Sequence, residues 1–114
     1  MILRYGFYQG CVRDDAREQY DRHFEVVVIP GLSLMPGVAS VRLLRGIGVG
    51  NISPRFHHAI ELSFNEQVDL VKAMQSAERR EVSRALGAIS GLYVGGTPHG
   101  NFRLIQALPG RESV

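Results

Sequence analysis

Four histidines, two tyrosines and one glutamate are the side chains of this 114-residue sequence whose types and spacing could do chemistry. His57 and His58 are neighbours in the alternating run of residues 56 to 64. A regular strand turns adjacent residues to opposite faces, so this pair cannot chelate one metal together. On that pattern Phe56, His58, Ile60, Leu62 and Phe64 share one face, and His57, Ala59, Glu61 and Ser63 share the other. His57 and Glu61 then stand roughly 13 Å apart, a span that could flank a ligand. His57 reads as an acid/base candidate or as a polar residue at a subunit interface. His58 reads as a ligand contact or as a core histidine satisfied by one hydrogen bond. His23 falls on the flank of a helical apolar stripe, three residues after Tyr20, and reads as the second acid/base candidate or as an exposed helix-flank histidine. Tyr5 and Tyr20 each join an apolar body to a hydroxyl, which suits a pocket wall and equally suits plain core packing. His99, after Pro98, reads as a solvated loop residue.

Other chemistries are excluded by what is missing. No spacing of His, Cys, Asp or Glu is a metal signature, and no serine sits on a nucleophile turn. The lone Cys11 rules out an internal disulfide and reads as a thiol just past the first strand. Gly46-Ile47-Gly48-Val49-Gly50 looks like a phosphate cradle, but Pro54 and a strand follow where a cradle needs a helix N-terminus. The net charge of +2 comes from dispersed arginines. Arg79, Arg80 and Arg84 alternate with Glu78 and Glu81 and read as a solvated helix face. An RNA-recognition module shares the element order found below, but Arg55-Phe56-His57-His58-Ala59-Ile60 lacks its basic-glycine-aromatic strand. No apolar run approaches the ~20 residues of a membrane span, and no signal peptide is evident. The expectation is a cytoplasmic protein with no metal, cofactor, nucleic-acid or membrane partner.

The elements that must position these groups follow from periodicity. Leu3, Tyr5 and Phe7 alternate in a first strand over residues 2 to 9. Asp14 and Asp15 are cap residues for a helix with Ala16, Tyr20, Phe24, Val27 and Val28 inward, ended by Pro30 and Gly31. Pro36-Gly37 is a turn into a second strand ending at Arg45, and residues 46 to 54 form a loop. After the third strand, Asn65 caps a helix with Val68, Val71 and Met74 inward. Ser76 caps a continuation with Val82, Ala85, Leu86 and Ile89 inward. Leu92 to Val94 could add a short strand, and residues 102 to 108 supply the last full one. The order predicts an α+β, ferredoxin-like βαββαβ fold with a four-stranded antiparallel sheet and helices on one side. Residues 1–108 form a single domain and 109–114 a flexible tail. Ile2 and Tyr8 oppose Leu3 and Phe7, and Leu43 opposes Leu44, so both sheet faces are apolar. A second copy packed on the bare face is the simplest cover, giving a homodimer through the sheet.

Tyr20, His23-Phe24, Pro30 and Pro36-Gly37 recur at intervals that resemble those of the ethyl tert-butyl ether degradation (EthD-like) family. That family's histidine falls on Val28 here. Phe56-His57, with Glu61 four residues on, resembles its third strand, and Ser76-Ala77-Glu78 resembles its Ser-Pro-Glu helix restart. The resemblance implies a dimeric α/β barrel, two ferredoxin-like sheets packed face to face. It also implies a small pocket between each sheet and its helices. The wider superfamily includes cofactor-independent monooxygenases, isomerases, decarboxylases and haem-binding relatives. The resulting expectation is a homodimer that binds a small apolar or aromatic metabolite, with possible degradative chemistry. His23 or His57 would be the acid/base, and Tyr5, Tyr20, His58 and Glu61 the ligand contacts. The alternative is a non-catalytic accessory subunit of an oxygenase-type system.

Overall fold

The computed structural model describes residues 1–48 and 56–113. Most of the expected glycine loop, residues 49–54, and Arg55 lie outside the described residues. Among the described residues five strands form one sheet: β1 (Ile2–Val12), β2 (Val38–Arg45), β3 (Phe56–Phe64), β4 (Tyr93–Gly96) and β5 (His99–Arg103). All pairings are antiparallel. β1 lies between β3 and the β4/β5 pair, and β2 is the far edge. β4 and β5 line the same edge of β1, against its C-terminal and N-terminal halves. Together they occupy one strand position, broken at Thr97-Pro98, where the Pro98 carbonyl accepts from Phe7 N–H at 2.9 Å. This is the ferredoxin-like arrangement, with its last strand in two pieces.

β1 runs three residues beyond the expected end, so Cys11 is an exposed residue within the strand. The last strand is 99–103 rather than 102–108. β1 has pairing for residues 2–6 only up to Arg103, and Leu104 N–H to Met1 C=O closes the ladder. With no partner left, Ile105 is 93% exposed.

Pro30 does not end the first helix. Arg17–His23, a π-helical turn at Phe24–Val28, and Ile29–Ser33 run on as one helix, α1, over residues 17–33. The wide turn closes with Ile29 N–H donating to Phe24 C=O, five residues back. An inserted residue of this kind opens the helix ahead of the proline, which removes a donor and crowds the preceding turn. It also resets the helical phase. Ala16, Tyr20, Phe24, Val28 and Leu32 are all buried at a strict spacing of four, which 3.6 residues per turn would carry out of line. Val27, expected inward, is 43% exposed as a result. Asp14 and Asp15 form the first turn and make no capping bond. They pair with Arg17 and Arg13 instead.

Pro36-Gly37 makes the expected turn. Val38 N–H bonds Met35 C=O at 3.3 Å, and Gly37 sits at φ +85°. That is the position i+2 of a type II turn, which needs glycine. Helix α2 (Gln67–Met74) starts at Glu66, whose N–H donates to Asp69 Oδ2, so Asn65 is not its cap. Its inward residues are Leu70 and Ala73, with Met74 partly buried. Val68 and Val71, expected inward, face outward. Helix α3 (Ala77–Gly87) is capped by Ser76 Oγ accepting from Arg79 N–H, and packs Val82, Ala85 and Leu86 onto the core, as expected. The helices cover the face of the sheet that carries Ile2, Tyr8, Ile60 and Leu62. Among the described residues no helix is long and apolar enough to cross a membrane.

Candidate functional site

A β-bulge decides where the paired histidines go. β1 pairs Tyr8 with His58 and Gln9 with Phe56, leaving His57 as an extra residue on β3. His57 and His58 therefore do not face opposite ways. Their ring centroids are 5.1 Å apart and both rings contact Tyr20. His57 does not share a face with Glu61 either. It turns to the helix side, while Phe56 crosses to the open side and packs on Phe7.

His58 is the centre of a buried ring cluster. It stacks on Tyr8 at 4.4 Å and meets Phe24 edge-on at 4.3 Å. Its Nε2 shares a 3.1 Å hydrogen bond with the Tyr20 hydroxyl, and its Nδ1 is buried with no partner among the described residues. Burial, aided by neighbouring His57, lowers its pKa to about 4, so the ring is neutral at pH 7. Burial likewise raises the Tyr20 hydroxyl, and pushes Tyr8 up to about 12. Beside this cluster His57 Nε2–H donates to Asp21 Oδ1 at 2.7 Å, and Arg45 reaches the other oxygen at 3.2 Å. Burial works against the Asp21 charge, but His57 and Arg45 outweigh it and hold the carboxyl below its ordinary range. A carboxylate on Nε2 fixes the proton there and leaves Nδ1 able to accept a proton, the arrangement of an oriented general base. Asp21, Arg45 and His58 line a hollow of about 130 Å³ with Phe24 and Leu43.

A cavity of about 80 Å³ lies between the sheet and helices α1 and α3. At 10–15 Å³ per water, it has room for several waters or a small ligand. Val28, Leu32, Ile60, Leu62, Met74, Val82 and Leu86 form its apolar wall, and Arg4, Arg79, Ser83 and His99 add the polar groups. Tyr8 joins the two regions, lining this cavity while stacking on His58. Val28, fully buried, occupies the wall where the resemblance puts the family's histidine. The cavity's histidine comes instead from β5. A Cβ on Gly6 would stand 3.2 Å from the His99 ring, so the glycine leaves that ring its space.

The other expected site residues lie elsewhere. His23 Nε2–H donates to the Ala85 carbonyl at 2.8 Å, tying α1 to α3, and does not line the cavity. Tyr5 and Glu61 are on the open face, across the sheet from Tyr20 and His58. Glu61 accepts from the Tyr5 hydroxyl and from Arg42 Nε and Nη2 at 2.8 and 2.9 Å. The Arg42 bond, outweighing burial, keeps the Glu61 pKa low. Around this trio Phe102, Tyr5, Phe7 and Phe56 form a ring-to-ring stripe across the open face. Arg4, Arg79 and His99 were not among the sequence candidates. Arg79 is half-buried in the cavity wall, not on a solvated face, and His99, exposed as expected, is a strand residue and not a loop one. The signals were present: Arg4 shares the inward parity of Ile2 and Tyr8, and Gly6 in an apolar strand marks a close approach. Among the described residues no three His, Cys, Asp or Glu side chains converge on a metal site.

Solved structures superpose on this fold over nearly its whole length. An ethyl tert-butyl ether degradation family protein from Bacillus halodurans superposes with a TM-score of 0.74, covering 92% of this chain and 99% of its own, at 15% identity. The chain has the EthD fold. The same fold appears in HapK from Hahella chejuensis, with a TM-score of 0.65 at 8% identity over 95% of this chain and 97% of the other. A variant of SnoaB, a cofactor-independent oxygenase from Streptomyces nogalater, gives 0.58 at 15% identity over 96% of each chain. No family model and no curated protein matches the sequence itself. Within the EthD fold the helix-side cavity is therefore built from this chain's own residues, with valine at position 28.

Proposed function

We propose that the protein is a cytoplasmic EthD-like homodimer whose helix-side cavity binds a small apolar or aromatic metabolite. The cavity itself carries the reading: a largely apolar space walled by α1, α3, β1 and β3, with a few polar groups in its lining. His57, oriented by Asp21 in the ring cluster with Tyr20 and His58, is the acid/base of this reading; it stands outside the cavity wall, and Tyr8, which stacks on His58 and lines the cavity, connects the two. Tyr5, Glu61 and Arg42 belong to the subunit interface, where their satisfied hydrogen bonds let a charged pair lie under a second sheet. Chemistry without a cofactor is part of the proposal, and SnoaB is one protein of this fold described in those terms.

A non-catalytic accessory role is the second reading, favoured by the absence of a histidine at position 28. Native mass spectrometry of the purified protein, followed by oxygen-consumption assays with any small molecule it retains, separates the two. Turnover that falls in His57→Gln supports the enzyme. Retention with no turnover supports the accessory subunit, and an empty protein that takes up no small aromatic compound removes the pocket reading.

A further inference from the structure

The charge in the cavity wall is not explained by the fold. Arg13, Arg17, Arg42, Arg45 and Arg84 each sit beside a carboxylate. Arg4 and Arg79, which line the cavity from β1 and α3, have none among the described residues. Arg4 Nη1–H donates to Asn101 Oδ1 at 2.9 Å, and Arg79 Nη1–H reaches Ser83 Oγ at 3.4 Å. Both are half-buried. Burial and the nearby Arg79 depress the Arg4 pKa, and burial together with both arginines depresses that of His99. Like charges gathered in a partly desolvated wall raise each other's energy. An anion supplied from outside offsets that cost. A guanidinium presents a planar fork of donors that matches a carboxylate edge. Val28, Leu32 and Leu86 line the same cavity and suit an apolar body.

We propose that the ligand is a small carboxylic acid with an apolar or aromatic body. Its carboxylate is held by Arg4 and Arg79 beside His99, and its body rests against Val28, Leu32 and Leu86. This rests on the cavity being the ligand site and adds the charge class of what enters it.

Benzoate, benzamide, acetate and inorganic phosphate distinguish the cases, read by calorimetry and by amide shifts at Val28, Leu32 and Leu86. Benzoate is expected to shift those amides and to bind roughly tenfold or more tighter than benzamide, its neutral isostere. Arg4→Gln and Arg79→Gln should each weaken benzoate by roughly tenfold and leave benzamide within about twofold. Arg79→Gln, on a helix surface, keeps the test decisive if the strand variant fails to fold. Equal binding of benzoate and benzamide, unaffected by Arg79→Gln, overturns the acid while leaving the pocket in place. Acetate or phosphate binding as well as benzoate overturns the apolar body. If neither aromatic probe moves the cavity amides, the pocket reading falls and the acid falls with it.

Discussion

Tyr20 and His58 show how one hydrogen bond can hold a buried polar ring in place. Among the described residues His58 has a partner at Nε2 only, so Tyr20→Phe leaves both ring nitrogens unsatisfied in the core. A loss of about 1–3 kcal/mol is expected, seen as a lower midpoint in urea with an unchanged slope. The same ring sets a pH dependence. Its folded pKa of about 4 lies below the 6.5 of an unfolded histidine, so between those values the unfolded chain takes up the proton and the native chain does not. Stability from this group is complete above pH 6.5 and is lost as pH falls towards 4, on the order of 3 kcal/mol in all. Asp21 and Glu61, also depressed, lose their contributions at still lower pH. Urea unfolding at half-unit steps from pH 7 to 4 checks the sign. His58→Phe should flatten the slope without abolishing it, because His99 is shifted in the same direction.

At the scale of elements, the turn between α1 and β2 is an exacting position. Gly37 is held at φ +85°, and a Cβ there would stand 2.9 Å from the Asp69 carbonyl. Gly37→Ala should cost about 1–3 kcal/mol, from left-handed strain plus that contact, and thermal melts read it directly. This turn was legible because proline followed by glycine has one inexpensive conformation. The first three strands were legible too, since their alternation is local, while the last, expected at 102–108 and found at 99–103, ends where its partner β1 ends. The π-helical turn was not. Nothing in Phe24–Val28 distinguishes it from an α-helical turn until the buried residues are seen to repeat every four. The bulge at His57 was hidden for a related reason: it is a mismatch between two strands, and no single strand records it. That one mismatch moved both histidines to the same side and separated His57 from Glu61. The cationic cavity wall escaped because it assembles from β1, α3 and β5, whose residues are neighbours only once the sheet is folded.

For the whole molecule, the open sheet face is the feature that asks for a second subunit. Phe102 is 52% and Leu44 39% exposed, and the aromatic stripe through Tyr5, Phe7 and Phe56 connects them to β3. Light scattering after size exclusion should give twice the 12.6 kDa chain mass. Phe102→Asp should return the mass to that of one chain while the circular dichroism keeps its shape, since the residue buries little within a subunit. A folded wild-type monomer at micromolar concentration would remove the barrel.

β1 is the wall shared by the cavity and the open face. Ile2, Arg4, Gly6 and Tyr8 look one way along it, and Leu3, Tyr5 and Phe7 the other. In a lone subunit such a strand would accept change at every second residue. In a barrel it has two interiors and no outside, so the record of tolerated substitutions along residues 2–8 would lose its alternation. Drift would then be channelled into β2, the outer edge, and the exposed flank of α2, leaving β1 as the slowest-changing stretch of the chain.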